Sequence, residues 1–117
     1  MQIALQMDYA DALYEQPAQL EKARAAYELI ATDHPEDPLA PRAAYNAAFS
    51  ALQSQKLDAA RKWSELFLNK YPQDPLRNDV AYVAAETLLQ QGEHAAAAAA
   101  YSKLIQADSK KDRKSGV

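Results

Sequence analysis

Residues 33–48, DHPEDPLAPRAAYNAA, return later in the chain as residues 70–85, KYPQDPLRNDVAYVAA. The shift is 37 residues, and the same shift places LEKA at Leu20 over LDAA at Leu57 and then over HAAA at His94. Three separate anchors therefore agree on one period without gaps. A fixed period of about 20 to 50 residues is the signature of a repeat architecture, in which each unit is one supersecondary element. The sequence predicts three tandem repeats.

Apolar stripes inside each unit have the spacing of a helix. In the second unit, alanines recur every three or four residues and so share one helix face, at Ala44, Ala47, Ala48 and Ala51. The third unit repeats this stripe, and a short break at Gly92 or its equivalent then separates a second helix. The second helices of the first two units end near Pro35 or Pro72, because proline cannot continue a helix.

The connection between units contains prolines and aspartates that predict where the next helix starts. Asp37-Pro38 and Asp74-Pro75 have the pattern of an N-cap aspartate followed by proline at the first helical position. Pro41 then falls within the first turn, which leaves open a start a few residues later. We predict six helices, at residues 3–16, 19–33, 38–54, 57–71, 75–91 and 94–107.

Composition limits the functions that are open to the chain. Its 117 residues carry a net charge of −3 and no cysteine. These values exclude disulfides, thiolate nucleophiles and cysteine-bound zinc, and they predict no binding of nucleic acid. No apolar run has the length of a membrane span, so we predict no direct membrane insertion. Alanine dominates the apolar residues, which favours closely packed helices throughout.

The pattern of small residues, turns and aromatic residues resembles the tetratricopeptide repeat (TPR). The resemblance rests on Ala47, Ala48, Ala84 and Ala85 in first helices, Gly92 in a turn, Ala23, Ala60, Ala97, Tyr27 and Tyr101 in second helices, and the closing prolines Pro35 and Pro72. It implies an all-α fold, a right-handed superhelical array of three antiparallel helix pairs. Residues 1–108 then form one domain, with repeats at about 1–37, 38–74 and 75–108. The sequence departs from the pattern at Ser64, where an aromatic is expected and Trp63 is the neighbouring substitute.

The long connecting turns make the resemblance specific to one subgroup of tetratricopeptide proteins. HPEDPLAP and YPQDPLRN, from His34 and Tyr71, are similar to turns of bacterial cell-envelope proteins, the TolA-binding periplasmic protein and the outer-membrane assembly lipoproteins. The resemblance therefore implies a bacterial protein and favours the periplasm or cell envelope over the cytoplasm.

The same resemblance implies a protein–protein interaction scaffold. The first helices of the pairs are expected to line a concave groove that docks a peptide or helix of a partner, through Asp8, Glu15, Arg42, Tyr45, Phe49, Gln53, Asp79, Tyr82, Glu86 and Gln90. Aromatic anchors within a polar rim suit such a groove. Two alternatives stay open: the rings serve only packing, or the chain is a structural spacer or self-assembly module without a peptide ligand.

The charges of this predicted groove exclude one known type of ligand. Some tetratricopeptide proteins hold chaperone carboxylates with lysine, arginine and asparagine in the first helices. The matching positions here carry Asp8, Tyr45, Phe49 and Tyr82, which offer no charge-assisted bond to a carboxylate. We therefore predict a protein partner of apolar and basic character.

The two histidines do not form a catalytic or metal-binding pattern. His34 and His94 lie far apart, at positions that carry aromatic or apolar residues in the other units, so we predict that both pack against neighbouring helices. The chain has no glycine-rich phosphate loop and no nucleophile elbow. We therefore predict no catalytic residue, no cofactor and no metal site; the chain is not expected to be an enzyme.

Both ends of the predicted array lack the polar capping helix with which repeat arrays usually finish. Either the chain is part of a larger bacterial protein, or its ends pack on another copy; we favour the first, with self-association of the isolated piece as its consequence. Residues 109–117 form a basic segment. It either contacts an acidic partner or a membrane surface, or is a flexible, solvated tail, which is our prediction.

Overall fold

Six helices in three consecutive pairs make up the part of the chain that the structure describes. This computed structural model describes the backbone of residues 2–115 and the side chains of residues 2–109. The helices are α1 (Gln2–Tyr14), α2 (Leu20–Asp33), α3 (Ala40–Gln53), α4 (Leu57–Lys70), α5 (Arg77–Gln90) and α6 (His94–Ser115), with a 3-10 turn, Pro17–Gln19, before α2. No strand occurs between residues 2 and 115. None of these helices is both long and apolar enough to cross a membrane.

The helices pack in chain order and repeat one arrangement. Each helix lies against the next one along the chain, so α1 pairs with α2, α3 with α4, and α5 with α6. The first helix of each later pair also packs on the pair before it: α3 lies on α2, and α5 lies on both α4 and α3. The prediction of an all-α, TPR-like array of helix pairs is confirmed.

Alanine fills the seams between helices, and a few large side chains fill the rest of the core. Six alanines of α3 are completely buried: Ala40, Ala43, Ala44, Ala47, Ala48 and Ala51. Their short side chains let neighbouring helices approach closely. Tyr27, Trp63 and Phe67 supply the large buried rings. Ser64 is also buried and donates its hydroxyl to the carbonyl of Ala60 at 2.6 Å, so Trp63 takes the aromatic role in this repeat.

The short turns inside the second and third pairs share one geometry. After α3, the N–H of Lys56 donates to the carbonyl of Ala51 at 2.8 Å, and the turn after α5 has the equivalent bond. Gln55 and Gly92 take the same position in these turns, with φ of 60° and 82°. This is the Schellman motif, whose residue after the helix is left-handed. Glycine adopts that conformation freely, whereas the β-carbon of Gln55 opposes it.

The long connections between pairs end in a turn closed by an aspartate side chain. Oδ1 of Asp37 accepts the N–H of Leu39 at 2.9 Å, and Asp74 accepts the N–H of Leu76 at the same distance. Each aspartate therefore caps a turn of its own, and α3 and α5 start two residues later than predicted. The predicted N-cap role of these aspartates is wrong, because Leu39 and Leu76 occupy the N-cap positions.

Two further predictions at helix ends are wrong. α6 continues to Ser115 and does not end at residue 107. His34 and His94 are exposed, not packed, because His34 directly follows the last residue of α2 and His94 is the first residue of α6. The side chains of residues 110–117 lie outside the described residues, and with them the predicted flexible basic tail.

Candidate partner-binding groove

The predicted partner-binding residues lie on, or directly after, the first helix of each pair, and we call this set of side chains the candidate groove. Tyr14 of α1 donates its hydroxyl to Oε1 of Gln53 in α3 at 2.7 Å. Burial, followed by the negative charge of Asp79 in α5, raises the pKa of Tyr45 in α3. The bond from Tyr14 therefore joins α1 to α3 at the predicted residue Gln53, and α5 in turn packs on α3.

The predicted aromatic residues of the groove differ in how far they are buried. The rings of Tyr45 and Phe49 are stacked, with centroids 5.9 Å apart and an angle of 29° between their planes. Both rings are half-buried, and Tyr45 packs against the core. Tyr82 is 52 % exposed. Tyr45 therefore serves packing as well as the surface, whereas most of Tyr82 is free for contact.

Tyr82 is supported from the side by the last helix. Its ring meets that of Tyr101 in α6 edge to face, with centroids 6.2 Å apart. Tyr101 donates its hydroxyl to Oε1 of Glu86 in α5. Burial first, and then this bond to a carboxylate, raises the pKa of Tyr101 to about 12. The predicted groove residue Glu86 is therefore held in place by a partner from the second helix of its pair.

Asp11 of α1 organises the first part of the surface. It accepts hydrogen bonds from the hydroxyl of the buried Tyr27 in α2 and from the guanidinium of Arg42 in α3. Burial first, and then the bond to Asp11, raises the pKa of Tyr27. The positive charge of Arg42 is consequently matched within the chain, so Arg42 is not a free cation for an acidic partner.

The remaining predicted residues give the candidate groove a negative rim. Besides Tyr82, six members of the predicted set are exposed: Asp8, Glu15, Arg42, Gln53, Asp79 and Gln90. Within the ten predicted residues, Arg42 is the single basic side chain against the four carboxylates Asp8, Glu15, Asp79 and Glu86. Because Asp11 already pairs with Arg42, these four carboxylates determine the local potential.

Three residues of this surface were missed from the sequence: Asp11, Tyr14 and Tyr101. Asp11 interrupts the apolar stripe of α1, and a carboxylate at a core-facing position is a signal for a buried partner. Tyr14 ends that same stripe and has a hydroxyl that needs an acceptor. Tyr101 lies on the second helix of its pair, and no spacing rule places such a residue beside Tyr82.

The arrangement presents aromatic, amide and carboxylate groups to the solvent. Aromatic faces contribute apolar contact area, while amides and carboxylates at the rim accept hydrogen bonds. Among the side chains that the structure describes, no three potential ligands from histidine, aspartate and glutamate come together to hold a metal ion.

Comparison with known families agrees with this architecture. The family model of YfiO, described as an outer membrane lipoprotein, matches residues 6–116. No curated protein and no solved structure matches the chain. The matched range includes part or all of every helix from α1 to α6, and the family is of the TPR-like, cell-envelope kind that the long turns between the pairs resemble. The chain belongs to the YfiO family of outer membrane lipoproteins.

Proposed function

We propose that the chain is a protein-interaction module of the bacterial cell envelope that docks a peptide or helix of a partner in the candidate groove. The observation that carries the proposal is the exposed ring of Tyr82 beside the stacked pair Tyr45 and Phe49, within a rim of carboxylates. Membership of an outer membrane lipoprotein family supports the location and a non-enzymatic role.

Packing fixes the aromatic rings of the candidate groove in the unbound chain. Tyr45 packs on the core, and Tyr82 is held edge to face by Tyr101. A side chain that is already immobilised loses little conformational entropy on binding, which otherwise costs about 0.5–1.5 kcal/mol per residue. Burying such rings therefore contributes directly to affinity.

The charge of the groove determines the chemistry of the partner. Four of the ten predicted residues are carboxylates, and the one guanidinium among them, that of Arg42, is already bound by Asp11. A segment with apolar side chains and lysine or arginine fits this potential, whereas a C-terminal carboxylate is repelled. The partner of this proposal is accordingly a basic, amphipathic segment of another envelope protein.

The proposal is tested by photo-crosslinking in cells that carry the full-length protein. A photoreactive phenylalanine analogue at Tyr82 is expected to capture a partner, and the same analogue at Leu29 of α2 is the matched control, since Leu29 is 57 % exposed and lies outside the groove. Asp79→Lys should then reduce capture at position 82 by about tenfold, a loss of 1.4 kcal/mol.

Helicity measured by circular dichroism must stay unchanged in these variants. Equal capture at positions 82 and 29, or capture that Asp79→Lys leaves untouched, contradicts docking in this groove. The alternative is a structural spacer or self-assembly module without a peptide ligand. It predicts that position 82 captures no partner at all.

A further inference from the structure

A second groove lies on the outer side of the array, between α4 and α6, with α5 as its floor. It is separate from the candidate groove and encloses about 440 Å³. Its walls are mainly apolar, and alanines of α5 and α6 make up much of the lining, among them Ala81, Ala84 and Ala100. Glu65 of α4 stands at its edge.

The preceding repeat shows the same groove in a filled state. Trp63 of α4 is 4 % exposed and donates its indole N–H to Oε2 of Glu28 in α2 at 2.9 Å. It therefore links α4 to α2, and it belongs to the same buried cluster as Ala44 and Ala47 of α3. Both of these alanines are completely buried.

The 37-residue shift relates the two grooves residue by residue. Glu28 corresponds to Glu65, and Trp63 corresponds to Ala100. Ala81 and Ala84, the counterparts of the two buried alanines of α3, are partly exposed. The acceptor Glu65 and the alanine floor are therefore both present at this groove, and Ala100 stands where the indole would be.

The acceptor is held in the same way in both grooves. Arg24 donates to Glu28, and its counterpart Arg61 donates to Glu65 at 3.1 Å. Each glutamate is thus oriented by an arginine one turn earlier in its own helix. Glu65 is exposed, and its carboxylate has a further oxygen with free acceptor capacity for a donor entering the groove.

We propose that the groove between α4 and α6 binds a tryptophan side chain of a partner protein, in the position that Trp63 takes one repeat earlier. The indole lies over Ala81 and Ala84 and donates its N–H to Glu65. Of the three cations that line this groove, Arg61 is already paired with Glu65 and Glu93, whereas Arg77 and Lys103 form no ion pair among the described side chains. The tryptophan therefore belongs to an acidic segment, in contrast to the basic segment proposed for the candidate groove.

Binding is tested with the tripeptide acetyl-Asp-Trp-Asp-amide and the whole chain, by following alanine methyl signals in NMR spectra. Saturable shifts are expected at Ala81, Ala84 and Ala100. The leucine tripeptide should bind at least about tenfold more weakly, as should acetyl-Lys-Trp-Lys-amide. Equal affinity of the tryptophan and leucine peptides, or no shift at these alanines, overturns the proposal. A 1-methyltryptophan tripeptide that binds as tightly as the parent overturns the hydrogen bond to Glu65.

A variant that carries its own indole is the second test. Ala100→Trp should fill the groove, abolish the methyl shifts and raise the melting temperature by about 4 °C or more. Ala95→Trp is the matched control, because Ala95 is exposed and lies outside the groove. It should keep the shifts and the original melting temperature. A melting temperature of Ala100→Trp no higher than that of the control, or binding that survives in it, overturns the proposal.

Discussion

The array has two outer grooves, one over α3 and one over α5. Their residues correspond under the 37-residue shift, but the two grooves differ in packing. Ala47 and Ala84 occupy the same place in their helices, yet Ala47 is completely buried and Ala84 is partly exposed. The difference lies in the second helix of each pair, which carries Trp63 in one repeat and Ala100 in the other. A stripe of alanines thus defines a helix face. Whether that face is covered from solvent depends on a single side chain of the next helix.

Removing the indole should make the filled groove resemble the open one, with the largest effect of the series. Trp63→Ala deletes a buried ring and its hydrogen bond to Glu28, so the free energy of unfolding should fall by about 3–5 kcal/mol. Equilibrium unfolding in urea measures this loss. Leu29→Ala, at an exposed position, should stay within about 0.5 kcal/mol of the parent chain. A comparable loss in both variants would falsify the closing role of Trp63.

A larger side chain in place of the floor alanine of each groove should affect the stability of the two repeats differently. Ala47→Leu places three extra carbon atoms in a filled space and should lower the free energy of unfolding by about 1–3 kcal/mol. Ala84→Leu places them in the open groove and should change it by less than about 0.5 kcal/mol. The pair is measured by the same urea titration. Equal losses would show that the floor of α5 is as closely packed as that of α3.

Substitutions in the turns that follow α3 and α5 should give the smallest differences in stability between the two repeats. Gln55 and Gly92 hold the same left-handed position, and the space beside Gly92 has room for a β-carbon. Gln55→Gly should therefore raise the free energy of unfolding by up to about 1 kcal/mol, and Gly92→Ala should lower it by a similar amount through backbone strain alone. Thermal unfolding distinguishes the two directions. A loss of stability in Gln55→Gly would contradict the cost assigned to the side chain at this position.

Helix number and pairing could be predicted because both depend on local spacing. The period from Asp33 to Lys70 and the alanine stripe from Ala44 to Ala51 are regular enough to give six helices in three pairs. The starts of α3 and α5 were missed because an aspartate side chain competes with the helix for nearby N–H groups. Asp37 closes its own turn and moves the helix start beyond Pro38.

The binding surfaces could be predicted only in part, since they depend on partners distant in the chain. Helix phase placed Tyr45 and Tyr82 on first helices, but it gave no hint that Tyr101 would support Tyr82. The alignment of Trp63 with Ala100 is visible in the repeat. The structural role of Trp63 could not be predicted, because it depends on the hydrogen bond to Glu28, which lies 35 positions away in the chain.

The open groove also bears on how the array comes apart. In repeat proteins, stability is close to a sum of unit and nearest-neighbour contributions. Trp63 and its bond to Glu28 join the second pair to the first, and the third pair has Ala100 where the equivalent link would stand. We expect amide hydrogens of α6 to exchange before those of α4, in an opening that begins at the third pair. A ligand bound beside Ala100 would then link the third pair to the second. It would slow this opening, and the three pairs would unfold as one unit.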